Sequence, residues 1–134
     1  MARDCVAFKA GFPDDAQWDG RHRLIVPRGK TILNTLAGVL AKKGCPGDQV
    51  RQHGTHGWGM EITREGIGFG CLLQSKESLM LLAVTPRPSL LVKLFQGKRV
   101  SRVHAEVLEA IGKVLGADAR FSEVRFLARD EIGA

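Results

Sequence analysis

Apolar residues recur with a helical period in two stretches of the chain. Ile32, Leu33, Leu36, Val39 and Leu40 stand three and four apart, which predicts an amphipathic helix over 30–43. Thr31 is placed to cap its start, Gly44 falls where a glycine commonly ends a helix, and Pro46 prevents continuation. Val103, Val107, Leu108, Ile111, Val114 and Leu115 predict a second helix over 100–116, with Ser101 or a neighbour as cap and Gly116 near its end.

Between these stretches the period changes to two. Trp58, Met60 and Ile62 alternate with Gly57, Gly59 and Glu61, and Ile67, Phe69, Cys71 and Leu73 alternate with Gly68, Gly70 and Leu72. A continuous apolar run follows from Leu79 to Val84, and the connections at 64–66 and 75–78 are short enough for hairpins, so an antiparallel meander is predicted. Short strands are also expected at 23–26 and 123–128, and a further one at 48–52 remains open. Residues 89–97 read as a short amphipathic turn of helix whose ordinary role would be to cover one edge of the core.

The order β-α-β-β-β-α-β predicts an α+β two-layer sandwich, with two main helices on one face of a mostly antiparallel sheet. Residues 1–20, with Phe8, Phe12 and Trp18 among Gly, Pro and Asp, read as an irregular arm or short edge strand. Residues 21–128 form the domain and 129–134 a tail.

The chain of 134 residues is long enough to bury a core without disulfide or metal, and Cys5, Cys45 and Cys71 form neither a disulfide framework nor a zinc knuckle. A reducing cytoplasm is the expected location. The first residues carry Arg3, Asp4 and Lys9 and lack the apolar segment of a signal peptide, and no apolar run approaches a membrane span.

Lys and Arg exceed Asp and Glu by 20 to 14, for a net charge of +6. The excess lies in two windows without acids: Arg21, Arg23, Arg28, Lys30, Lys42 and Lys43 within 20–47, and Arg87, Lys93, Lys98, Arg99 and Arg102 within 78–105.

The run GWGMEI with its following hairpin, the linker PRPSLLVKLFQGKR and the closing helix and strand are similar to small bacterial proteins of uncharacterised function that share this layout. The resemblance covers about residues 30–128 and implies the fold, with no activity, cofactor or site residue to carry over. Small immunity proteins and secretion chaperones share the layout by analogy of fold.

Complete catalytic motifs are lacking. Gly29-Lys30-Thr31 between a strand and a helix has the setting of a phosphate loop, but Leu24 stands where its first glycine belongs. Cys45, His53 and His56 are the residues a metal would use, since Gly54 allows the chain to turn between the histidines, yet no recognised ligand spacing is present. Cys71 shares a face with Phe69 and Leu73 and reads as a buried, inert thiol; Cys45 reads as the more exposed one. His104 reads as a boundary residue. Asp14-Asp15 and Asp130-Glu131 lie in terminal regions that hold acid/base pairs poorly.

Two features point to binding. Gly57, Gly59, Gly68 and Gly70 share one sheet face, where a partner's backbone, a flat ligand or the N-terminal arm would approach closely. If three strands separate the two helices, the helices run parallel, and Arg28 and Lys30 join Lys98, Arg99 and Arg102 in one basic pole at two helix N-termini. A fourth strand at 48–52 would invert one helix and split that pole.

These features favour a non-enzymatic module that binds an acidic protein partner through the pole or the glycine face, as an adaptor, chaperone or immunity-type antagonist, without a cofactor. Nonspecific binding of nucleic acid or phosphate through the pole is the alternative, and a metal-dependent enzyme the third reading. A self-complementary glycine face would give a homodimer. A peripheral membrane role for the apolar and basic residues of 90–102 is weaker, because the segment is short.

Overall fold

A computed structural model describes residues 4–128. The strands are β1 (Cys5–Ala10), β2 (Gln17–Trp18), β3 (Leu24–Val26), β4 (Arg51–His53), β5 (Gly57–Arg64), β6 (Ile67–Lys76), β7 (Leu79–Arg87) and β8 (Phe121–Leu127). The helices are α1 (Lys30–Lys42), α2 (Leu90–Phe95) and α3 (Gly97–Ala117). Six strands form one antiparallel sheet in the order β4-β5-β6-β7-β1-β8, and β2 and β3 pair separately. The α+β architecture expected from the periodicity is the one observed.

The sheet register places Trp58 opposite Leu73, Leu73 opposite Leu82, Leu82 opposite Val6 and Val6 opposite Phe126. That row faces the helices. Ile32, Leu33, Leu36 and Leu40 of α1 and Val103, Val107, Ile111 and Leu115 of α3 fill the layer above it, all essentially without exposure. His104 is buried among them, its Nε2 3.0 Å from the Val84 carbonyl oxygen and its ring stacked on Phe69 at 5.7 Å, so it is an interior polar residue with a partner rather than a boundary one.

The N-terminal segment departs from the expected irregular arm. Residues 5–10 form β1, an internal strand between β7 and β8. Phe8 and Phe12 both pack on Phe121, at centroid distances of 5.5 and 5.3 Å, while Trp18 is 60% exposed on the separate hairpin. The tail at 129–134, with Asp130 and Glu131, lies outside the described residues.

Helix α1 ends as its sequence suggests: Gly44 takes φ +83°, and the Cys45 N–H donates to the Leu40 carbonyl. Its start differs. Gly29, not Thr31, occupies the cap position, and the orphaned N–H groups of Gly29 and Thr31 donate, each at 2.9 Å, to the two carboxylate oxygens of Asp15. Helix α3 likewise begins at Gly97 rather than near Ser101.

Burial acts to raise the pKa of Asp15, but the hydrogen bonds from Thr31 and Gly29 outweigh it and hold the carboxyl below its ordinary value. Because the folded-state pKa lies below the unfolded one, the stabilisation is complete above the unfolded value of about 3.9 and is lost as pH falls through the folded value. Asp15→Ala is therefore expected to cost about 1 kcal/mol at neutral pH. In denaturant titrations that difference should shrink as the pH is lowered toward 2; a difference that persisted unchanged in acid would contradict the ionic cap.

Candidate functional site

Strand β4 decides where the basic residues go. It joins the sheet beside β5, so four strands lie between α1 and α3 and the two helices run in opposite directions. The C-terminus of α1 and the N-terminus of α3 both meet the β5–β6 turn: Arg64 donates to the Lys43 carbonyl and pairs with Glu106 at 3.0 Å, and Arg99 donates to the Glu65 carbonyl. The N-terminus of α1 lies at the other end, where Gly29 sits against the side chains of Leu73, Met80 and Trp58. The single basic pole expected from parallel helices does not form.

Most of its members are engaged within the protein. Arg28 is half-buried and donates through Nη2 to the Ala10 and Phe12 carbonyls at 3.2 and 3.0 Å, tying the N-terminal segment to α1. Lys30 lies over the Trp58 ring at 5.6 Å, and the phosphate-loop-like turn beneath it is filled by the Asp15 carboxylate. Arg102 pairs with Glu106 at 2.6 Å and Glu65 at 3.2 Å. Arg64 and Arg102 in turn hold the Glu106 carboxyl below its usual range. Of the five, Lys98 is exposed and, unlike the other four, engages no acidic side chain, backbone carbonyl or ring among the described residues.

The four glycines do share the sheet face away from the helices, but each stands opposite a different kind of residue. Gly57 pairs with His53, Gly59 with Leu72, Gly68 with Thr63 and Gly70 with Glu61. Among the described residues the N-terminal segment is not what lies over them, since residues 5–10 are built into the sheet as β1. A Cβ built on Gly59 would lie 2.5 Å from Nε2 of His53, and one built on Gly70 would lie 2.8 Å from Nη2 of Arg87. The missing side chains make room for an imidazole and a guanidinium lying across the sheet. Gly57 differs: its Cβ would collide with the Leu73 carbonyl oxygen, so the close approach there is between backbones.

On this face lies a groove of about 700 Å³, lined by Arg51, His53, Gly59, Glu61, Gly70, Leu72, Gln74, Ala83 and Arg87 among others. Arg87 pairs with Glu61 at 3.4 Å and Arg51 with Asp48 at 3.3 Å, while Asp48 also accepts the Glu61 N–H at 2.7 Å. His53 belongs to β4, and His56 lies in the exposed turn after it, its N–H donating to the His53 carbonyl. Cys45 is fully buried after α1, contrary to the expectation of an exposed thiol. Among the described residues no three His, Cys, Asp or Glu side chains are placed to share a metal ion. Cys71 is buried as expected, and desolvation, aided by the nearby Glu61 charge, pushes its thiol up to about 12, far from a reactive thiolate.

Among the described residues the largest apolar exposure lies elsewhere, on α2. Leu90, Leu91, Leu94 and Phe95 are 71%, 69%, 65% and 78% exposed. Only Val92 of the helix packs toward the core, and Ser89 caps the first turn by accepting the Val92 N–H. At 100° per residue the four side chains span about 140° of the helix circumference, with Lys93 beside them and Lys98 just beyond. Sequence reasoning identified this helix but assigned its apolar residues to covering the core edge. The helix instead turns them outward, immediately ahead of α3, whose Arg99 is tied to the Glu65 carbonyl.

No helix among the described residues is long and apolar enough to cross a membrane. The chain matches no known family model, no curated protein and no solved structure.

Proposed function

We propose that the protein is a non-enzymatic binding module that docks onto an acidic partner protein through the α2 ridge. The observation that carries this reading is the exposure of Leu90, Leu91, Leu94 and Phe95 on one six-residue helix. Soluble domains rarely leave such side chains clustered in water, because burying each is worth roughly 1.5–3 kcal/mol. A ridge with anchors at i, i+1, i+4 and i+5 suits insertion into an apolar groove of another protein.

Charge favours an acidic rim around that groove. Lys93 and Lys98 border the ridge without acidic partners among the described residues, and the whole window 78–105 contains no acid. A second copy docked ridge to ridge would bring these like charges together. A lipid surface is disfavoured by length: one short helix and two free lysines, at about 1 kcal/mol each, fall short of the paired signals that stable membrane attachment needs. The glycine face and the divided basic pole do not support the partner surfaces first expected of them.

The reading is tested by affinity capture from source-cell lysate with the wild-type protein and with a Leu94→Ser/Phe95→Ser variant. It requires a stoichiometric acidic protein held by the wild type, lost from the variant and released by salt. Equal capture by both proteins, or capture of nucleic acid or lipid alone, contradicts it.

A further inference from the structure

We propose that the groove on the open sheet face is a separate binding site for a small planar carboxylate, such as an aromatic acid. Its volume of about 700 Å³ lies within the range of small-molecule sites, which runs from about 300 to 1,000 Å³. Its floor is flat and apolar where Leu72 and Ala83 adjoin the bare backbone of Gly59 and Gly70, in neighbouring rows of the sheet.

The polar groups around that floor hold a surplus of donors. Asp48 is satisfied by the Glu61 N–H and by Arg51, and Glu61 by Arg87. By contrast, each guanidinium carries five donors and has used one carboxylate contact, and the His53 ring makes no hydrogen bond among the described residues. The Arg87–Glu61 pair is long at 3.4 Å, with both side chains about half exposed, so it contributes little and exchanges readily. A ligand carboxylate can take the free edge of Arg87 while His53 donates from the opposite side, a charge-assisted arrangement stronger than the existing pair. Gly59 and Gly70 are what allow these two side chains to lie down over the floor rather than stand away from it.

The experiment is an amide NMR titration of the full chain with 2-naphthoate, and with its neutral carboxamide as control. Saturable shifts are expected at Gly59, Gly70 and Leu72, with the carboxamide binding at least tenfold more weakly. Arg87→Ala should weaken naphthoate at least tenfold. Gly70→Ala should do the same by displacing Arg87, since the three atoms nearest a Cβ there all belong to the Arg87 guanidinium, and unchanged melting temperatures would exclude loss of fold as the cause. Absence of saturable shifts, equal binding of acid and carboxamide, or shifts confined to α2 would overturn the proposal. The last of these would leave the ridge reading intact, because the two surfaces share no residue.

Discussion

Gly57→Ala is expected to destabilise the protein by about 3 kcal/mol, whereas Gly70→Ala, on the same sheet face, changes stability by less than about 1 kcal/mol. The two sites differ in what a methyl group would meet. At Gly57 it runs into the carbonyl oxygen and carbon of Leu73, on the strand that pairs with β5. Backbone within a hydrogen-bonded ladder cannot step aside without breaking the ladder, so strain at Gly57 is transmitted to the β5–β6 pairing. At Gly70 the nearest atoms all belong to the Arg87 guanidinium, and an exposed guanidinium relocates at little cost. Removing glycine from a strand even offsets part of that cost through backbone entropy. For a chain of this length 3 kcal/mol corresponds to a drop of roughly 10 °C in melting temperature. Equilibrium unfolding in urea checks both values, and equal losses at the two positions would refute the distinction.

The second large effect concerns binding rather than stability. Replacing Leu94 and Phe95 together with serine is expected to weaken the partner complex by at least a hundredfold, or roughly 3 kcal/mol, because truncated anchors at the centre of an interface commonly cost 2 kcal/mol or more each. Stability should stay within about 0.5 kcal/mol of the wild type, since both side chains are more than 60% exposed and leave no cavity when shortened. Loss of binding without loss of fold is the signature of a docking surface. If the double variant instead unfolded more readily, the ridge would be packing against its own domain.

The two long helices and the meander were legible because their signal is local. The stripes of α1 and α3 and the alternation in β5 and β6 record which face is buried, whatever lies on it. Strand β1 left no such trace. Cys5 and Ala7 are as buried as Val6 and Phe8, so the segment lacks alternation, and the strands that cover its edges, β7 and β8, come from far along the chain. Asp15 was equally hidden, since the helix N–H groups it accepts lie 14 and 16 residues further on.

The binding surfaces turned on a single three-residue strand. With β4 in the sheet the helices oppose each other, and charges adjacent in an imagined parallel pair fall at opposite ends. The composition of the acid-free window at 78–105 was readable from the start, but which of its residues face water was not. Arg99 and Arg102 turn to Glu65, while the apolar side chains of α2 turn outward. Likewise the glycines were correctly placed on one face, but the side chains lying over them, His53 and Arg87, come from other strands.

The central claim, that α2 is where the partner sits, is tested most directly by photo-crosslinking in source cells. Phe95→benzoylphenylalanine places the reactive group on the ridge, and Asn34→benzoylphenylalanine, on the exposed side of α1, serves as control. The account predicts one discrete adduct with an acidic protein from position 95 and none from position 34. The same adduct from both positions, a homodimer adduct, or none from position 95 would contradict it.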